Sequence, residues 1–239
     1  MKIEHLLEEF NHRAVFTTKD VRDFYFKNDK EMPNSTINWR IYQLVQSGII
    51  SRVGRGKFIV GSSSDFKPRI GRKESSIAKQ IKKQFPFIEF CIWKTDVIRE
   101  FSLHQSFINF IVVEIERDSM EAVYHFLKEK HKKVYLKPDK NIIENYLLEL
   151  KNIIVVQNLI SEAPLQKLSK IPTVTVEKIL VDLICGKALF YYYQGYELHN
   201  IFQRAFEKYT INESKLLRYA DRRKKKAEVL KLIKAINRH

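Results

Sequence analysis

The segment Pro33–Gly61 constrains the fold more than any other part of the chain. Asn34 or Ser35 is placed to cap a helix whose apolar positions, Ile37, Ile41, Leu44 and Val45, share one face. Gly48 stops that helix, because glycine enters the left-handed C-terminal cap without a Cβ clash. Ile49–Val53 reads as a short strand, Gly54-Arg55-Gly56 as a tight turn, and Lys57–Val60 as a returning strand. Helix, glycine, strand, basic turn and strand form the second half of a winged helix-turn-helix.

The preceding residues supply the first half. Ile3, Leu6, Leu7 and Phe10 recur at helical spacing, and Thr17 or Thr18 caps a second helix with Val21, Phe24 and Tyr25 inward. Residues 1–60 are therefore expected to form a DNA-binding unit of three helices and a hairpin. Its third helix would enter the major groove. Ser35, Thr36, Asn38, Trp39, Arg40 and Gln43 lie off the apolar face and are the candidate readers. Arg40 suits guanine, and Asn38 or Gln43 suits adenine. Ser35 and Thr36 also sit where helix-terminal N–H groups favour a phosphate. Arg52, Arg55 and Lys57 on the hairpin would follow the DNA backbone or enter the minor groove. Two alternatives stay open: a protein-interaction module with a solvated basic turn, and Trp39 packed on a second domain.

Charge supports a polyanionic partner. The 239 residues carry a formal charge of +15, and Lys215–His239 holds ten basic against two acidic residues. Arg222-Arg223-Lys224-Lys225-Lys226 is expected in the middle of one long helix capped by Asn212 or Ser214. These five cations are candidates for an auxiliary nucleic-acid or partner contact, or else form a solvated face. No signal peptide or long apolar run is visible, so no membrane partner is expected and a cytoplasmic setting is. Cys91 and Cys185 lie in apolar contexts and read as reduced core thiols. Neither a metal nor a cofactor is expected.

Residues 61–72 are rich in small and polar types and predict a linker. Gly61-Ser-Ser-Ser resembles the start of a nucleotidyltransferase signature, but the two metal-binding acids that chemistry needs are absent; only Asp65 follows. Residues 73–239 are expected to be a mixed α/β domain with a helical C-terminal region, giving an α/β (α+β) chain overall. Helices are predicted at Ser75–Gln84, Val97–Ser102, Ser119–Lys130 and Ile142–Leu147. Strands are predicted at Phe87–Trp93, Phe107–Ile115, Lys133–Leu136 and Asn152–Leu159. After Pro172 the pattern turns helical over Val176–Leu189 and Tyr196–Tyr209.

Taken with Leu44–Phe58, the runs Val112-Val-Glu-Ile-Glu and Glu177-Lys-Ile-Leu-Val-Asp-Leu give a layout that resembles the AbiEi-type antitoxins of bacterial abortive-infection (type IV) toxin–antitoxin pairs. The resemblance implies a transcriptional autorepressor acting on double-stranded DNA at its own promoter, and a toxin partner of nucleotidyltransferase type. A single module covers a short site, so a homodimer on DNA is expected.

The chain is expected not to be an enzyme. A metal-dependent nuclease of restriction-endonuclease-like fold is the alternative. Asp96 and Glu114-Ile-Glu116 approach its acidic pattern, but the lysine is missing. A regulator sensing a small effector is the third possibility. Asp182, among Leu180, Val181, Leu183 and Ile184, is expected to be buried and paired, with an arginine of the last helix a candidate partner. Phe190-Tyr-Tyr-Tyr-Gln-Gly-Tyr reads as a packing corner, with base stacking as the other reading.

Overall fold

The computed structural model describes residues 3–236 apart from 12, 14, 29, 30, 55, 62–64 and 104–108. The N-terminal unit runs α1 (Ile3–Phe10), β1 (Phe16–Thr17), α2 (Thr18–Asn28), α3 (Asn34–Gln46), β2 (Ile50–Gly54) and β3 (Lys57–Val60). Its antiparallel sheet has the order β1-β3-β2, and the strand β1 was not expected from the sequence. Leu6, Phe10, Phe16, Val21, Tyr25, Ile37, Ile41, Leu44, Ile50 and Phe58 form a core of their own.

Local chemistry sets the boundaries. Thr17 and Asp20 cap α2 reciprocally: Thr17 N–H donates to Asp20 Oδ2 at 2.6 Å, and Asp20 N–H donates to Thr17 Oγ1 at 3.2 Å. At α3 the cap position is Pro33 rather than Asn34 or Ser35, with no side-chain cap bond. Gly48, at φ +70°, closes α3 as expected. Its N–H donates to the Val45 carbonyl at 3.1 Å, and that of Ile49 to the Leu44 carbonyl at 3.0 Å, a Schellman pair.

The expected linker is shorter than 61–72. Phe66 and Pro68 are buried, and the Phe66 ring meets Phe101 and Tyr209 at 5.9 and 5.2 Å. Gln166 Nε2 donates to the Phe66 carbonyl at 3.1 Å, so this half of the segment belongs to the second unit.

That unit is mixed α/β, as expected, and begins with α4 (Arg72–Gln84) and β4 (Phe90–Lys94), followed by a 3₁₀ turn at Thr95–Glu100. Next come β5 (Phe110–Ile115), α5 (Met120–Lys130), β6 (Val134–Leu136) and α6 (Lys140–Ile142), which continues as a π turn to Leu147. Then follow β7 (Ile153–Asn158), β8 (Leu165–Leu168), β9 (Ile171–Val174), α7 (Val176–Cys185), α8 (Tyr196–Lys208), α9 (Glu213–Arg222) and α10 (Lys226–Ile236). The main sheet has the order β4-β5-β7-β6, with β7 parallel to both neighbours and β4 antiparallel to β5. Every residue of β5 is buried, because α4 and α5 cover one face and α7–α10 the other.

Two features of the second unit depart from expectation. The hairpin β8–β9 was not predicted, because its turn places Ser169 and Lys170 at φ +49° and +68°, positions usually signalled by Asn-Gly. The expected single C-terminal helix is two, α9 and α10, broken where Lys224 adopts φ +56°. The basic run therefore surrounds a helix break and does not occupy a helix centre. Asn212 does cap α9, accepting from Lys215 N–H at 3.0 Å.

Candidate nucleic-acid interface

The face of α3 opposite Ile37, Ile41 and Leu44 is open. Ser35, Asn38 and Gln43 are exposed, together with Trp39 at 61 % and Tyr42 at 56 %. Trp39 is thus not packed on the second unit. Tyr42 was missed in the sequence, although its i, i+3 spacing from Trp39 puts both on this face. Thr36 and Arg40 sit half-buried on the flanks. The Arg40 guanidinium lies 4.9 Å from the Tyr25 ring centroid, which draws it away from the centre of the face.

On the hairpin, Arg52 is exposed, with its guanidinium 5.5 Å from the Phe58 ring centroid. Arg55 lies outside the described residues. Lys57 corrects the expectation of a free cation, because it is ion-paired with Glu213 at the start of α9. A carboxylate as buried as Glu213 requires such a partner.

The basic run does not act as one patch. Arg222 donates to Ser161 Oγ at 2.8 and 2.6 Å, and Arg223 turns inward to Asp182 Oδ1 at 2.7 Å. Lys225 pairs with Glu228 at 2.7 Å and Lys226 with Asp221 at 3.8 Å. Lys224 remains exposed, without an acidic partner among the described residues.

Behind these surfaces lies a buried charge network that ties β5, α7 and α9 together. Lys178 Nζ meets Glu114 Oε2 at 2.6 Å and Asp182 Oδ2 at 2.5 Å. Glu114 Oε1 accepts from Trp93 Nε1 at 2.9 Å, and Asp182 Oδ1 from Tyr219 OH at 2.8 Å. With Arg223 the two cations balance the two carboxylates. Burial pushes the Lys178 ammonium down, but Asp182 and Glu114 overcome that and hold its pKa well above the ordinary lysine value. Burial pushes the Glu114 carboxyl up, partly offset by Lys178. Asp182 is therefore buried and paired as the sequence suggested, with Arg223 the expected arginine. Lys178 was not foreseen in this role.

The same geometry disperses the acidic pattern of a nuclease. Cys91 faces Glu114 across β4–β5 and Lys94 faces Ile111, so Asp96 lies beyond one end of this strand pair and Glu116 beyond the other. Asp96 pairs with Lys94 at 2.9 Å, and Glu116 accepts from Ser119 Oγ at 3.2 Å. Among the described residues, no three His, Cys, Asp or Glu converge to hold a metal. Cys91 and Cys185 are both free thiols. In the aromatic run, Phe190 and Tyr193 are buried packing residues, while Tyr192 and Tyr196 face solvent.

A family model described as "Family of unknown function (DUF6577)" matches residues 36–239. The chain belongs to DUF6577. The DUF6577 match begins inside α3, so it takes in most of that helix, the β2–β3 hairpin and the whole second unit. Trp39, Lys57, Glu213 and the Glu114–Lys178–Asp182 network all fall within the DUF6577 segment. No curated protein matches the chain. No described helix is long and apolar enough to cross a membrane.

Proposed function

We propose that the chain is a DNA-binding transcriptional autorepressor and the antitoxin of a toxin of nucleotidyltransferase type. The observation that carries the DNA-binding half is α3: one face is locked into a small core, and the other presents Ser35, Asn38, Trp39, Tyr42 and Gln43 to solvent. With β1, β2 and β3 around it, this unit is read as a winged helix-turn-helix, whose third helix docks in the major groove. The formal charge of +15 supports attraction to a polyanion. The antitoxin half rests on the resemblance in sequence layout. In this reading the second unit binds the toxin without doing chemistry itself, and two copies occupy repeated half-sites.

The test is binding to the DNA upstream of the chain's own gene against scrambled DNA, at two salt concentrations. Selective binding that survives the higher salt supports operator recognition. Equal, steeply salt-sensitive binding to both contradicts it. Co-expression with an adjacent nucleotidyltransferase-like protein tests the second half through relief of growth arrest. A specific observation also favours the effector-sensing reading: the carboxyl edge of the sheet holds a recess lined by charged groups.

A further inference from the structure

The recess opens at the carboxyl ends of the three parallel strands. Glu116 and Arg117 follow β5, Lys137 follows β6, and Asn158 to Ala163 end and follow β7. With Glu89 and Arg222 they line a cavity of about 580 Å³. A smaller one of about 220 Å³ shares Lys137, Asn158 and Ile160 and reaches Asp182 and Arg223. The chain leaves β5 toward α5 on one face of the sheet, while Leu159, Ile160 and Ala163 after β7 pack on the other. Adjacent strands whose connections part in this way leave the crevice where open α/β sheets hold small ligands. Its volume is in the range of such sites.

The lining specifies the ligand. Arg117 and Lys137 are exposed cations without an acidic partner among the described residues, and both face the same cavity. Lys137 is held there in a left-handed backbone conformation, φ +42°, uncommon outside glycine. Its N–H donates to the Val156 carbonyl at 2.9 Å. Arg222 also lines the cavity and is fixed by its two bonds to Ser161. Asn158, which lines both cavities, has a buried Oδ1 with no hydrogen-bond partner. A buried acceptor of that kind calls for a donor. Glu89, Glu116 and Glu162 also line the cavity, offer acceptors to hydroxyl or amino groups, and balance the charge of Arg117, Lys137 and Arg222, which disfavours a long polyanion.

We infer that this crevice binds a small phosphomonoester carrying neighbouring hydroxyl or amino donors, with Arg117 and Lys137 on the phosphate and Asn158 on a donor. This site is independent of whether α3 reads DNA.

The test is isothermal titration calorimetry of the full chain with ribose 5-phosphate and, separately, adenosine 5′-monophosphate. Unphosphorylated ribose and inorganic phosphate serve as controls. Saturable binding of one phosphomonoester per chain is expected, weakened by at least about tenfold in the double variant Arg117→Ala/Lys137→Ala, which loses two charge-assisted bonds. Lys82→Ala, an exposed cation on α4 away from the cavity, is expected to bind as the parent does. Tighter binding of the nucleotide assigns the base a place in the crevice, and equal binding assigns recognition to the sugar phosphate alone. Three results overturn the proposal: no saturable binding of either compound up to about 10 mM, equal affinity in the double variant, or inorganic phosphate binding as tightly as the esters. Circular dichroism of the double variant, whose two positions are exposed, separates lost binding from lost fold.

Discussion

Lys178 Nζ lies 2.6 Å from Glu114 Oε2, and the two side chains are 0 % and 2 % exposed. The pair joins helix α7 to the central strand β5, and Asp182 and Arg223 extend it to the end of α9. Such a network is costly to break from one side, because the remaining charge stays buried without its partner. Lys178→Met is expected to destabilise the fold by roughly 3–5 kcal/mol. Equilibrium urea unfolding checks this, and a change below about 1 kcal/mol would show that water reaches the site.

The same groups fix a pH dependence. The folded pKa of Lys178 is raised above its unfolded value, so its contribution is complete below the ordinary lysine range. It is lost progressively as pH rises from that range through the higher folded value. Glu114 is also raised, so its own titration favours the fold in acid, and that contribution is lost as pH rises through the folded value. His131 is lowered by burial first and by Lys73 and Lys130 next, so its contribution is present above the ordinary histidine value and lost as pH falls through the lowered one. The urea midpoint is therefore expected to fall as pH rises past the ordinary thiol and lysine values, where the unfolded chain gives up the protons that buried Cys91 and Lys178 retain, and His131→Gln to flatten the limb below about pH 6.5. A parent midpoint that does not fall as pH rises past the ordinary lysine value would contradict the Lys178 assignment.

Lys57 and Arg52 sit on one hairpin but should behave differently. Lys57 is held by Glu213, so Lys57→Ala is expected to lower stability and leave the salt dependence of DNA binding nearly unchanged. Arg52→Ala is expected to reduce the salt slope by about 0.9 with little effect on stability. Slopes from titrations at several salt concentrations decide between them.

Among the readers, Asn38 and Gln43 are exposed, while Arg40 is drawn to the Tyr25 ring. Gln43→Ala is expected to weaken specific binding by about 1–3 kcal/mol with random DNA little affected. Arg40→Ala is expected to lose less selectivity than Gln43→Ala. The reverse order in competition binding would place Arg40 at the base edges.

What the sequence made legible was local. Ile37, Ile41 and Leu44 announced the inner face of α3, and Gly48 its end, because helical spacing and a left-handed cap leave their mark on neighbouring residues. The nearly continuous apolar run of β5, interrupted by Glu114, marked a buried strand. Contacts between distant residues left no such mark. Nothing near Lys178 signals that Glu114 lies against it, and nothing near Lys57 points to Glu213. The helix break at Lys224 was hidden because lysine is ordinarily a good helix former. The crevice was invisible because β5, β6 and β7 contribute its walls from separate parts of the chain.

Whether α3 reads DNA is decided by acrylamide quenching of Trp39 fluorescence with the upstream duplex or its scrambled counterpart bound. The chain has two tryptophans, and Trp93 is buried against Glu114, so a change in accessibility reports Trp39. The upstream duplex is expected to shield Trp39 at a salt concentration that already releases the scrambled one. Binding of the upstream duplex that leaves Trp39 as open to quencher as in the free protein would contradict it.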